Sequence, residues 1–428
     1  MVGGTQNSAS GELALSARPY REIVECRVCG GRQLDEIMHL GEQAIASRFP
    51  RRDEPDPVKA PLTLVHCAGC GLVQLRHSVD RDELFTYGYG YKSGTNATMR
   101  AHLADLVRWV EERCQLDASA IVIDIGSNDG TLLKSYAKPG LRRVGIDAIA
   151  GKFWDAYPAD INLHEEFFST AAYRSIFGRE KARVITSVAM FYDLESPRDF
   201  VAAIRSALAP DGIWVLEQSY LPTMLEVNAY DTVCHEHLEY YAVRQIEWLA
   251  RAEGLRVFDV QLNACNGGSF RIAICHEQSS YRTDEHQLAV LRKLEADLAL
   301  ETRSPYQAFK HRVNQHRDEL TELVDRERAA EKTFYLYGAS TKGNTLLQYC
   351  GLDSGKIVAA ADRNPEKWDR RTPATAIPII SEEQARAARP DYFLVMPWHF
   401  RNEFVEREAA FRRSGGRLVF PLPTLEVV

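Results

Sequence analysis

From about residue 118 onward, β-branched apolar runs alternate with amphipathic stretches. ASAIVIDIGSNDGTLLKSY (118–136) is an apolar run, a glycine-containing turn and a helical pattern, and LRRVGIDAI repeats the strand and ends on an acid about twenty residues later. This order predicts a nucleotide-binding βαβ unit. ARVITSVAMFYDLESPRDFV (strand, then helix), ALAPDGIWVLEQ (turn and strand) and GGSFRIAICH (closing strand) extend it. The pattern changes over 285–332, where HQLAVLRKLEADLAL and FKHRVNQHRDELTELVDRERAAEK are charge-rich with helical spacing and predict a solvated connector or packing arm. Strand, glycine turn and helix then restart at TFYLYGASTKGNTLLQYCG. KIVAAADRNPEKW, a strand ending in Asp362, follows, and then the strand candidates TAIPII, YFLVMPW and VFPLPTLEVV. The last hundred residues therefore predict a second open α/β unit.

A length of 428 residues allows two to four domains, and 45% apolar with 26% charged residues is the balance of a globular protein. The net charge of −7 gives no reason to expect a polyanionic partner, so no nucleic acid is expected. No stretch approaches the length of a bilayer span, and MVGGTQNSASGELALSARPY lacks the charged-then-apolar order of a signal peptide. The expectation is a cytoplasmic protein with no membrane partner, acting on small molecules as a monomer or weak homodimer.

Nine cysteines change this picture. Five are scattered and read as reduced, packed thiols, but Cys26-Arg-Val-Cys29 and Cys67-Ala-Gly-Cys70 are two CxxC knuckles. Each turn aims two thiolates at one tetrahedral ion, so the pair predicts a structural zinc site with a closed S4 shell.

In DIGSNDG, Gly126 and Gly130 permit a tight turn and close ligand approach. Asp147 ends the next strand, where it can accept from two ribose hydroxyls. The spacing does not match the GxGxxG that seats a pyrophosphate. A ligand with a positive centre suits this Asp-flanked loop better, which points to S-adenosylmethionine (SAM), with Asp124, Ser127 and Asp129 as further contacts. The C-terminal turn is friendlier to phosphate, since Gly338 to Gly343 brings amides, Ser340, Thr341 and Lys342 to a helix N-terminus, with Asn344 following.

CHEHLEYY (234–241) packs two imidazoles, two carboxylates, a thiol and two phenols into eight positions. A polar surface turn, a metal site and an acid/base centre all fit that composition, although the i, i+4 histidine spacing of a helical zinc site is missing. LFTYGYGYKSGTNATMRAHL (84–103) is likewise either an ordinary Tyr/Gly loop or part of a site.

Taken together, the two knuckles, DIGSNDG, HEHLEYY and GASTKGNT resemble the sugar C-methyltransferases that act on nucleotide-linked 4-keto-deoxyhexoses, over nearly the whole chain from Cys26. The resemblance implies a zinc module (23–80) after a flexible N-terminus (1–22), a class I SAM-methyltransferase Rossmann-like α/β domain (81–284), a helical connector (285–330) and a C-terminal Rossmann-like α/β domain (331–428) that helps hold the sugar nucleotide. It also implies methylation of the carbon beside the ketone, usually C-3, in deoxysugar biosynthesis. That chemistry requires a base and an enolate-oxygen partner. His237 is the candidate base, oriented by Glu236 or His235. Many members carry tyrosine where this chain has Cys234, and histidine where it has Asp193, so Tyr192, Asp193, Tyr240 or Tyr241 would substitute. Tyr240 and Tyr241 are also candidate substrate contacts. The resemblance implies as well that Tyr91, with Tyr89, Ser93 and Asn96, closes over the ligands. The competing readings are a SAM-dependent O-methyltransferase, a zinc-ribbon RNA methyltransferase, or a scaffold that keeps a degenerate fold.

Overall fold

The computed structural model describes residues 19–85 and 91–428. Seven strands form the central sheet in the order Leu255–Asn263, Ser269–His276, Leu208–Ser219, Ala182–Val188, Ile121–Ile125, Arg142–Ile146, Ile161–His164. All neighbours from Leu208–Ser219 to Ile161–His164 pair in parallel, and Ser269–His276 runs antiparallel to both its neighbours. This is the strand order of a class I methyltransferase sheet. The run IVIDI is almost continuously apolar because both faces are covered. Ile121, Ile123 and Ile125 pack into one cluster with helix Pro197–Ala207, while Val122 faces the other side, against helix Ala97–Arg113. The chain departs from Ile121–Ile125 in both lateral directions, so a crevice opens at its carboxyl end, the usual ligand position in such sheets.

The N-terminal unit is an antiparallel sheet of Leu34–Ala44, Lys59–Cys67 and Val73–Leu75. Its fourth strand comes from far along the chain: Glu239–Tyr240, inside the CHEHLEYY segment, pairs with Gln74 and Val73. Residues 1–18 of the stretch read as flexible lie outside the described residues, whereas Tyr20–Glu22 forms a short ladder with His77–Val79. That ladder corrects the reading for those three residues.

Two helices, Glu285–Asp297 and Ser304–Ala329, carry the chain to the C-terminal unit. The second is amphipathic and buries Phe309, Val313, Leu320 and Val324, so it is a packing arm. The C-terminal sheet has the order Ile379–Ser381, Ala360–Asp362, Phe334–Tyr337, Tyr392–Val395, Arg417–Phe420, Glu426–Val427, parallel except for its last pair. It docks on the N-terminal unit through Gln348, whose amide bonds both the N–H (2.8 Å) and the carbonyl (3.1 Å) of Ala44. One apolar core runs through all three units. Among the described residues no helix is long and apolar enough to cross a membrane.

Candidate active site and zinc centre

The four knuckle cysteines converge. Cys26 and Cys70 sulfurs lie 3.6 Å apart, Cys29 and Cys67 sulfurs 3.5 Å, and all four fall within 4.8 Å of one another. A tetrahedron with Zn–S bonds near 2.3 Å has sulfur–sulfur edges of about 3.8 Å, so the spacing fits zinc. Burial pushes the Cys67 thiol up to about 11, with the Cys26 charge adding to it. Arg27, between the first two cysteines, ties the knuckle to its surroundings: its guanidinium donates to the Leu75 carbonyl and Ser78 hydroxyl (both 2.7 Å) and lies 3.8 Å from the Glu239 carboxylate.

At the crevice, a cleft of about 530 Å³ is walled by the central sheet, the 91–99 segment, the 231–237 loop and the C-terminal unit. This is an ordinary size for a small-molecule site. The glycine turn forms its floor. Gly126 has φ +69°, and a Cβ there would meet Met190 at 3.2 Å. Gly130 has φ +71°, and a Cβ would come within 2.8 Å of the Tyr157 ring, whose hydroxyl donates to Ser127 Oγ (2.8 Å) and the Asn128 carbonyl (3.0 Å). Gly130→Ala is therefore expected to cost about 1–3 kcal/mol in strain and to weaken SAM binding at least about tenfold, because Tyr157 and the turn it braces must move. Titration calorimetry with SAM checks this, and unchanged affinity would contradict it.

Asp147 lines the cleft, and its carboxylate accepts from the Asn128 and Ile149 amides, both at 2.9 Å. Asp124, also lining, accepts from Thr186 Oγ1 at 2.6 Å, and burial pushes its carboxyl up to about 7. The 91–95 segment folds over the turn: Asn128 Oδ1 accepts from the Ser93 amide (3.0 Å), and Asp129 Oδ2 accepts from the Gly94 amide (2.8 Å). Tyr91, Ser93, Asn96, Gly126 and Ser127 all line the cleft, although the Asn96 side-chain oxygen is taken as a helix cap by the Thr98 amide. Asp129 and Gly130 sit behind the lining. The Asp129 carboxylate is consumed by Gly94 and Thr131, so its role corrects from ligand contact to clamp. Tyr89 lies outside the described residues.

The loop of CHEHLEYY divides sharply. Cys234, Glu236 and His237 face the cleft, beside Asp193 and Tyr192. His237 Nδ1 lies 2.8 Å from the Thr232 carbonyl. A carbonyl only accepts, so the proton sits on Nδ1 and Nε2 keeps its lone pair. Burial, helped by the Lys342 charge, pushes the imidazole down to about 4, so it is neutral at pH 7. Thr232 therefore orients His237, in place of Glu236 or His235. Both Glu236 oxygens and Asp193 Oδ1 are buried without a hydrogen-bond partner among the described residues. Burial, and then the nearby Glu236, raises the Asp193 carboxyl well above the carboxylate range.

His235, Tyr240 and Tyr241 are corrections. The His235 ring points into the N-terminal sheet, with Nε2 donating to the Ala60 carbonyl at 3.0 Å. Tyr240 and Tyr241 are buried in the core that the Glu239–Tyr240 strand creates, away from this cleft. Asn344 is a fourth. Its amide donates to the Ala46 carbonyl at 2.7 Å, fastening two units together. Ser340, Thr341 and Lys342 do line the cleft, and Lys342 Nζ donates to the Asn266 carbonyl at 3.2 Å.

Sequence reasoning missed several lining groups. Gln218 is 2% exposed, with both amide atoms unpaired among the described residues. Its neighbour Glu217 accepts from Arg271 (2.7 Å), Asn263 (3.0 Å) and His102. Both end the strand GIWVLEQ, where two polar residues after an apolar run were a legible sign. His399, held neutral by burial, follows YFLVMPW in the same way. Glu166, Phe167 and Phe168, just past the strand Ile161–His164, carried no such mark.

Three family models match the chain: a zinc binding domain over residues 26–85, a methyltransferase domain over 96–260 and a C-methyltransferase C-terminal domain over 264–423. The C-methyltransferase NovU of Streptomyces niveus is 31% identical over 419 residues, which cover 95% of this chain and 97% of that one. Among solved structures, CcbJ methyltransferase from Streptomyces caelestis is 11% identical over 41% of this chain and 89% of its own, with TM-score 0.32. N-methyltransferase NodS from Bradyrhizobium japonicum WM9 is 15% identical over 43% of this chain and 99% of its own, also with TM-score 0.32.

The glycine turn at the switch point of the seven-stranded sheet, with the matching methyltransferase domain, defines a SAM-dependent methyltransferase that also carries a zinc site. The methyl group goes to carbon: the chain belongs to the C-methyltransferase family.

Proposed function

We propose that the protein methylates a nucleotide-linked 4-keto-deoxyhexose at the carbon next to the ketone, C-3, through a base-generated enolate in deoxysugar biosynthesis. The observation that carries this reading is His237 Nε2, bare and neutral, in a cleft floored by the glycine turn on one side and by Ser340, Thr341 and Lys342 on the other. A carbon nucleophile requires removal of an α-proton, and a neutral imidazole of fixed tautomer suits that step. His237 takes the proton onto Nε2. Asp193, whose carboxyl burial and then Glu236 raise well above the carboxylate range, offers in its protonated form a donor for the enolate oxygen, standing in for the histidine of related chains. Asp147 and the turn 126–128 fit the adenosine moiety of SAM, and Glu166, Phe167 and Phe168 fit its base. SAM supplies an electrophilic methyl group. The chain's own contribution to transfer is alignment, with Tyr91 and Ser93 lying over the turn at the edge of the cleft. Ser340, Thr341 and Lys342 suit the phosphates of the nucleotide.

The test is hydrogen exchange without transfer. With S-adenosylhomocysteine in heavy water, a nucleotide-linked 4-keto-6-deoxy sugar is expected to lose its C-3 proton signal by NMR. A panel varying nucleotide and sugar configuration identifies the substrate. No exchange with any member, while SAM binds normally, would overturn the ketosugar reading.

A further inference from the structure

The loop carrying His237 is gripped from the C-terminal unit. Tyr230–Thr232 is a single tight turn, and its middle residue, Asp231, is 2% exposed. Asp231 Oδ2 accepts from the indole Nε1–H of Trp398 at 2.8 Å. Trp398 belongs to the turn Trp398–Phe400, directly after the strand Tyr392–Val395. The indole also rests on Gly267, where a Cβ would approach it to 2.9 Å, so it is wedged between the hairpin turn and the loop. The residue after Asp231 is Thr232, whose carbonyl holds the His237 proton.

An imidazole free of other constraints has no fixed tautomer here, and the hydrogen bond at one nitrogen decides which nitrogen is bare. The position of one carbonyl therefore decides which way the imidazole works, and the turn carrying it is held at Tyr230 by the phenol's bond to His316 (3.0 Å) and at Asp231, next to Thr232, by the indole. We propose that Trp398 and Asp231 are positioning residues for His237: the indole anchors the 230–232 turn so that the Thr232 carbonyl keeps the ring proton on Nδ1 and Nε2 faces the cleft bare. This rests on the reading of His237 as the base. It makes the C-terminal unit part of the acid/base apparatus as well as a wall of the cleft.

The experiment is long-range 1H–15N NMR of histidine-labelled holoenzyme, loaded with zinc and SAM, which reports the His237 tautomer directly. Trp398→Phe keeps the ring and removes the donor. The Nδ1–H to Nε2–H ratio is expected to fall about five- to tenfold, the worth of one hydrogen bond. Asp231→Ala is expected to do the same, and Asp231→Asn, which keeps an oxygen for the indole, to retain the wild-type ratio. A folded Trp398→Phe or Asp231→Ala protein with an unchanged ratio overturns the proposal, even if its melting temperature falls, since a merely structural contact would move stability alone. Should Trp398→Phe fail to fold, the two Asp231 variants decide. Because the tautomer is read without substrate, this result is separate from the base assignment, which stands or falls on exchange in His237→Ala.

Discussion

His237→Ala is expected to lower turnover by about a thousandfold, within the range for a lost general base, while SAM affinity stays within about twofold. The asymmetry follows from the site. His237 faces the cleft from the 231–237 loop, and the SAM turn is built from residues 124–130 and 147, none of which bonds to it. Steady-state rates and calorimetry on the variant check both halves, and near wild-type turnover would sink the assignment. The pH profile gives a second handle. The imidazole is pushed down to about 4, so its base form persists through neutrality and is lost only as pH falls through that value. Asp193 works in the opposite sense: its carboxyl is raised, so the donor is present at low pH and lost as pH rises through its elevated value. The expected kcat/KM profile is a bell whose acid limb disappears in His237→Ala and whose alkaline limb disappears in Asp193→Asn, since the carboxamide stays a donor at every pH.

Removing zinc, by chelation or by Cys67→Ser, is expected to cost several kcal/mol of stability, because a closed thiolate shell couples metal binding to folding. It should also lower methyl transfer at least about tenfold under conditions where SAM still binds, since the second knuckle leads within three residues to Val73–Leu75, the strand that pairs with Glu239–Tyr240. The Leu75 amide donates to the Leu238 carbonyl at 2.8 Å, one residue from His237. Metal content, melting temperature, SAM affinity and turnover measured on one preparation test this. Full activity and an unshifted melting curve after verified metal loss would contradict it.

Much of this was legible in the sequence, for identifiable reasons. The central strands announce themselves because each is a short apolar run with a glycine or acid at its end, and the knuckles because two CxxC pairs have few other uses. CHEHLEYY is where reading stopped short. Its composition signalled chemistry, but assigning its members required knowing that residues 239 and 240 form a strand of a sheet begun at residue 34. Once that pairing turns Tyr240 and Tyr241 into core and His235 toward Ala60, only Cys234, Glu236 and His237 remain for the cleft. Local pattern carries no information about such a distant partner. Trp398 and Asn344 were obscure for the same reason, since each acts on a residue more than 160 positions away; their separations are 167 and 298.

The borrowed strand Glu239–Tyr240 also bears on how such enzymes can be recombined. An excised zinc module would present Val73–Leu75 as an open edge, a template for pairing with other chains. A chimera that exchanges the module by cutting near residue 85 would also mate one parent's edge with another parent's closing strand. The exchangeable unit is discontinuous: a graft that keeps its register would carry residues 234–241 together with the N-terminal sheet, so the loop bearing His237 and the metal module would travel as one cassette.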